Sequence, residues 1–155
     1  MIEFEAKETI NRSIDQVFEF VAKGENNSQW NSAVKLVTKI SDGPVGEGSQ
    51  YSMTRELPNG TAKNVYEIAE YEPNQLLTIK IISGPTPFVY RYEFEGTGGS
   101  TILYMKAQVD KEGVIDVLGT KAKISPEFVL SGLLKKGVET NLKTLKRILE
   151  STKTS

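Results

Sequence analysis

The chain has no cysteine and no histidine among its 155 residues. These two absences together remove disulfides, thiol nucleophiles, Cys/His zinc sites, Ser-His-Asp triads and imidazole general bases. Any chemistry must come from Asp, Glu, Lys, Arg, Tyr, Ser or Thr. No Asp/Glu cluster has the spacing of an oxygen-ligand loop, so no metal and no cofactor is expected. Long hydrophobic runs are also missing, since none approaches the roughly 20 residues of a spanning helix. The opening MIEFEAKE carries acids where a secretory leader would carry bases, which makes the cytoplasm the expected location. Without secretion, the Asn-x-Ser/Thr sequons at Asn11, Asn26 and Asn59 carry no weight. The net charge of −1 does not favour nucleic acid as a partner.

What is present is an ordinary globular composition, 38% hydrophobic and 25% charged. The length suits one domain, expected over residues 1–150, followed by a polar, disordered tail at 151–155. Charge is unevenly spread. Residues 1–120 hold 11 Lys/Arg and 17 Asp/Glu, a sum of −6, whereas residues 121–155 hold 8 Lys/Arg and 3 Glu, a sum of +5. Most of the excess base lies on one face of residues 126–149, at Lys135, Lys136, Lys143, Lys146 and Arg147. No aromatic residues interleave with these bases, so a solvated face is preferred over docking on an anionic surface.

Residues 126–149, PEFVLSGLLKKGVETNLKTLKRIL, carry the strongest pattern. Leu130, Leu133, Leu134, Val138, Leu142, Leu145, Ile148 and Leu149 recur at three- and four-residue spacing, the mark of one buried helix face. Ser125-Pro126-Glu127 supplies an N-cap, a proline at N1 and an acid in the first turn. Two residues interrupt the stripe: Gly137 has no side chain and Asn141 is polar. A helix that covers a sheet yet leaves a gap and an amide mid-face predicts a cavity beneath it.

Upstream, residues 2–10 alternate as a half-buried strand, with Glu8 anomalous on the apolar face. Ser13 and Gln16 form a capping-box pattern opening a helix that Gly24 ends. Residues 25–32 read as a polar turn or short helix holding Trp30. Six strands follow, near 34–40, 50–57, 61–71, 76–82, 88–95 and 101–109, joined by Gly, Pro and Asn turns. Short connections make neighbours antiparallel. The predicted class is therefore α+β: a seven-stranded antiparallel sheet, two short helices after the first strand, and a long C-terminal helix around which the sheet must curl.

This order of elements resembles the START/Bet v 1-like (SRPBCC) superfamily, and within it the polyketide cyclase/dehydrase-like proteins. The resemblance rests on SIDQVFEFV at 13–21, Gln29-Trp30-Asn31, GPVGEG at 43–48, EIAEYEPNQLLTIKI at 67–81, FEGTGGST at 94–101 and LKTLKRILE at 142–150. It implies the helix-grip fold and a cavity for a hydrophobic or amphipathic molecule that is lipid-, polyketide- or steroid-like. Reversible binding is the leading expectation. The alternative is a cyclase or dehydratase acting on such a ligand without a metal. A co-chaperone role, known among relatives, lacks the aromatic and proline signature expected around the first helix.

By period two, Phe88, Tyr90, Tyr92 and Phe94 share a face, as do Asn64, Tyr66 and Ile68, and as do Leu103, Met105 and Ala107. In 50–57 the more apolar set, Tyr51, Met53, Arg55 and Leu57, is taken as inward. The candidate ligand-binding residues are Trp30, Tyr51, Met53, Arg55, Tyr66, Tyr90, Tyr92, Met105 and Asn141. A solid core with tyrosine hydroxyls reaching the rim is the competing arrangement. Arg55 and Glu8 admit two placements. Either they pair in the cavity, gripping an acidic or carbonyl group and moving protons, or Glu8 lies at a wet strand end and a one-residue slip turns Arg55 outward. Desolvation favours the second. Trp30 is read as packing that closes one cavity end. The resemblance makes the loop at 43–48 a mobile rim of the cavity mouth. Val114, Ile115, Val117 and Leu118 make 113–124 too apolar for a bare loop, so it is read as a flap over that mouth, with membrane or partner contact the weaker alternative. The expected partner is a hydrophobic small molecule, with membrane contact disfavoured and the chain a monomer or weak homodimer.

Overall fold

The computed structural model describes residues 1–58, 60–118 and 123–151, with backbone alone at 116–118. Seven strands form one sheet in the order β1-β7-β6-β5-β4-β3-β2. They are β1 (Ile2–Ile10), β2 (Val34–Lys39), β3 (Gln50–Leu57), β4 (Gly60–Glu72), β5 (Leu76–Ser83), β6 (Phe88–Gly96) and β7 (Thr101–Val109). Every pairing is antiparallel. Between the two edge strands β1 and β2 run α1 (Ile14–Ala22), a 3-10 turn at Gly24–Asn26 and α2 (Asn27–Trp30). Beyond β7 come α3 (Lys111–Leu118) and the long helix α4 (Glu127–Ser151). This is the helix-grip arrangement.

The sheet curls because its ladders slip. Registers shift between Val34 and Leu36, between Val65 and Tyr66, and between Ile68 and Glu70. Each irregularity inserts an unpaired residue and bends the strand. The inner face collects the alternate apolar residues, including Ile2, Phe4, Tyr51, Met53, Ile68, Tyr92, Leu103 and Met105, all buried. Helix α1 closes one end by burying Val17, Phe18, Val21 and Ala22. Phe18 there meets Tyr71 and Phe94 edge-on, with ring centroids 5.4 and 5.0 Å apart.

Helix α4 is clamped at its ends and not along its middle. Leu142, Leu145 and Leu149 are buried in the C-terminal half and Leu130 near the start. At about 1.5–3 kcal/mol for each such side chain, these leucines are its main attachment. Leu134, Val138 and Ile148 are only partly buried, and Leu133 is half exposed. The eight-residue stripe is thus not continuous in burial: between Leu130 and Leu142 the helix stands off the sheet.

Polar bonds fix the C-terminal end. Lys146 Nζ donates to the Thr9 carbonyl (2.6 Å) and to Glu150 (2.7 Å). Glu150 also accepts from the Asn11 N–H (2.9 Å), and Arg12 donates to the Glu150 carbonyl (3.2 Å). The Asn11 N–H, and then Lys146, hold the Glu150 carboxyl below its ordinary value. A depressed carboxylate stabilises the fold fully above its unfolded value of 4.5, and this support is lost as pH falls through the lower folded value.

Several local expectations are corrected. The Ser13 hydroxyl donates to the Gln16 side chain (3.0 Å) and makes no backbone cap, so the reciprocal box does not form. The apolar segment after β7 begins as the helix α3, which the turn-like sequence around Gly113 concealed. Val114 is fully buried in the core and does not stand over a cavity mouth. Gly113 lets α3 approach the β5–β6 loop, because a Cβ there would come within 2.7 Å of Thr86 Cα. The remainder of the expected flap, the side chains of 116–118 and all of 119–122, lies outside the described residues, as do Asn59 and 152–155. Ser151, placed in the tail by the sequence, is still helical.

Candidate functional site

Where α4 stands off the sheet, a cavity of about 250 Å³ opens between them. That is slightly below the range of roughly 300–1,000 Å³ usual for ligand sites, so the space suits a small molecule. Strands β3 to β7 supply its walls through Met53, Arg55, Tyr66, Ile79, Tyr90 and Met105, among others. Leu133, Leu134, Gly137, Val138 and Asn141 of α4 form its roof, and residues 31–33, in the turn from α2 to β2, form its rim. Ser32, Leu133 and Gly137 are exposed, which locates the mouth between that turn and the helix. Gly137 leaves open space, since a Cβ there would meet nothing within 4 Å. The Asn141 carboxamide accepts from the Ser32 N–H across the mouth at 3.4 Å. The polar interruption of the stripe is therefore a latch between roof and rim.

Eight of the nine candidate residues from the sequence line this one space: Trp30, Met53, Arg55, Tyr66, Tyr90, Tyr92, Met105 and Asn141. Tyr51 does not. It is completely buried behind Tyr66, on which its ring stacks at 4.9 Å. Gly24 makes room for that pair, because a Cβ there would collide with the Tyr66 hydroxyl and lie 2.8 Å from the Tyr51 ring. The loop at 43–48 does not rim the mouth either. It folds against β4, with Gly48 N–H donating to the Ile68 carbonyl and Gly46 N–H to Ser49 Oγ. Its Gly43 and Gly48 take positive φ values of 86° and 90°, as a tight connection requires.

Arg55 is buried and faces the cavity, so the outward placement favoured by desolvation is wrong. Tertiary bonds offset that penalty. Arg55 Nε donates to Asn64 Oδ1 (2.9 Å) and Nη2 to the Pro85 carbonyl (3.0 Å). Its guanidinium lies 5.8 Å from the centre of the Phe88 ring, which in turn stacks on Tyr90 at 4.0 Å. Asn64, itself buried, also donates to the Ser83 carbonyl (3.2 Å) and the Pro85 carbonyl (2.7 Å). One amide thus ties β4, the β5–β6 loop and the arginine together. The sequence placed Asn64 on the inward face without assigning it to the site. Two of its partners are backbone carbonyls, at the end of β5 and in the loop after it, which no side-chain pattern reveals. Thr86 of the same loop, buried at φ 58°, also lines the cavity.

Glu8 is not part of this site. It pairs with Leu103 on the edge strand β1, far across the sheet from β3. It lies in a surface group with Lys143, Lys146 and Glu150, at a wet strand end.

The tyrosines of the site are neutral. Burial, assisted by Tyr51 at Tyr66 and by Tyr90 at Tyr92, pushes the Tyr66 and Tyr92 hydroxyls far above the ordinary tyrosine value. Burial pushes Tyr90 up to about 12 despite the opposing charge of Arg55, and Tyr51 likewise to about 12. Raised values stabilise the fold below pH ~10, and that contribution is lost as pH rises through the folded values. At about pH 11, ultraviolet difference absorbance is therefore expected to find at most two of the six tyrosines ionised while the fold persists. Four ionised tyrosines in the folded protein would contradict the burial described. Trp30 packs edge-on to Tyr92 at 6.4 Å, and its indole N–H has no hydrogen-bond partner among the described residues.

Among the described residues, no helix is long and apolar enough to cross a membrane. Comparison with solved structures places the fold. A protein from Thermus thermophilus superposes with a TM-score of 0.76 at 14% identity, over 98% of this chain and 99% of its own. A START superfamily protein from Mycobacterium smegmatis gives 0.74 at 16%, over 97% and 98%. The Zhui aromatase/cyclase from Streptomyces sp. R1128 gives 0.73 at 11%, over 96% and 93%. At these identities the likeness is one of fold. No curated protein matches in sequence. Residues 1–150, nearly the whole chain, match the family described as "Polyketide cyclase / dehydrase and lipid transport", and the chain belongs to that family.

Proposed function

We propose that the protein reversibly binds an apolar molecule bearing oxygen acceptors in the cavity between sheet and α4. One observation carries this proposal. The walls are largely apolar, while the lining residues that carry donor groups include Arg55, Trp30, whose buried indole N–H lacks a partner among the described residues, and protonated tyrosines. No carboxylate occurs among the described lining residues. A cationic amine would find no counter-charge there, whereas a carbonyl, carboxylate or phenol would meet donors already in place. Family membership and the lipid-transport description support a hydrophobic ligand.

The cyclase reading draws on the aromatase/cyclase of similar fold. Arg55 and Tyr90 could polarise a carbonyl. Glu8, the base considered from the sequence, does not line the cavity, and tyrosines held protonated serve as donors. Binding therefore accounts for more of the site than turnover does.

Native mass spectrometry of protein purified from its own host, without organic solvent, tests the proposal. A retained small molecule lost on gentle denaturation is expected, with a lower retained fraction in Arg55→Met. Retention of a basic amine, or equal retention in Arg55→Met, would refute the acceptor-bearing ligand. Conversion of the released molecule on re-addition would favour the cyclase.

A further inference from the structure

The outer face of α4 above the cavity mouth is apolar, although none of the described residues covers it. Phe128 is 77% exposed, Leu133 50% and Val129 37%, and Ile124, just before the helix, is 88% exposed. Positions 128, 129, 132, 133 and 136 share one side of the helix by their spacing, opposite the buried Leu130, Leu142 and Leu145. An exposed apolar patch of this kind marks an interaction site.

The charge around the patch selects the partner. Residues 123–138 hold three lysines, Lys123, Lys135 and Lys136, and one carboxylate, Glu127. All three lysines are exposed. Along the same outer face Lys136 is followed at helical spacing by Lys143 and Arg147, also exposed, with one exposed carboxylate, Glu139, between them. The helix thus presents apolar side chains at its N-terminal end and bases toward its C-terminal end. A second copy docking through this patch would bring the lysines of both molecules together. An anionic lipid surface satisfies both halves, taking Phe128 and Leu133 among the acyl chains and the lysines among the headgroups.

We infer that α4 docks the protein onto anionic phospholipid bilayers through the Ile124–Lys136 face. The bases are exposed, as expected of a solvated face, and the proposal adds to them the exposed apolar residues at the start of the same helix, Phe128 among them. Leu133 belongs both to this patch and to the cavity lining, so docking sets the cavity mouth against the membrane. The surface itself does not depend on the cavity being a binding site.

The test is co-sedimentation of the full chain with phosphatidylcholine vesicles, with and without added phosphatidylglycerol. Binding is expected only to the anionic vesicles and should weaken with added salt. Lys135→Glu/Lys136→Glu should lower partitioning by about thirtyfold, and Phe128→Glu should abolish it, with unchanged circular dichroism in both. Gly137→Phe, which obstructs the cavity, should bind vesicles like the wild type. Three results would each overturn the proposal: no binding to anionic vesicles, equal binding to both vesicle types, or wild-type binding by the charge-reversed variants. Loss of vesicle binding in Gly137→Phe would also overturn it, by reducing it to lipid entering the cavity. A lipid-free dimer that Phe128→Glu converts to monomer would assign the patch to a second copy instead.

Discussion

Gly137→Phe is expected to weaken binding of the apolar fluorophore anilinonaphthalene sulfonate by at least about tenfold while the protein stays folded. Position 137 is on the roof of the cavity, at its mouth, and nothing lies within 4 Å of where a Cβ would be. An aromatic side chain there would enter space that a ligand must use or cross. It would displace no packed residue, so overpacking strain is not expected. The paired control is Gly137→Ala, whose single methyl leaves the mouth open. Because glycine is about 1 kcal/mol less favourable than alanine inside a helix, this control should raise stability by up to that amount and leave binding unchanged. Titration fluorimetry and thermal melts on both variants decide the matter. Undiminished fluorophore binding by folded Gly137→Phe would mean that ligands do not use this cavity.

Asn64→Leu should produce the largest loss of stability, about 3 kcal/mol in chemical denaturation. The substitution keeps most of the volume but removes an amide that bonds Arg55 and the Ser83 and Pro85 carbonyls at once. A buried guanidinium that loses a partner is penalised far more than the pair as a whole is favoured. The same reasoning predicts strong coupling. Arg55→Met in the Asn64→Leu background should recover at least half of the loss, since the charge then disappears along with its partner. Additive losses in the double variant would show that Asn64 supports the β5–β6 loop and not the arginine. Asn64 is in this sense a positioning residue: a ligand acceptor would meet Arg55, whose direction Asn64 sets.

Much of the framework was legible in residue order. The alternation of Tyr51, Met53, Arg55 and Leu57, with that of Phe88 to Phe94, determined which side chains face inward, because a strand sends successive residues to opposite faces. The departures came from long-range contacts. Tyr51 had the right parity but lies behind Tyr66, since parity gives a face and not a depth. Glu8 and Arg55 looked like partners because both are inward charges, yet strand order places them on β1 and β3. The loop at 43–48 looked like a lid by resemblance, and its own hydrogen bonds fold it onto β4.

From the residues alone came the element order, the antiparallel curl, the clamping role of the last helix and the presence of a gap beneath it. Periodicity, turn chemistry and caps are local properties, written in consecutive side chains. The chain's folding in space settled where the mouth opens, what holds a buried arginine without a nearby Glu8, and why Asn141 interrupts an apolar stripe. Each of those depends on backbone carbonyls and amides brought together from distant strands and loops, and the order of side chains carries no record of where such groups will meet.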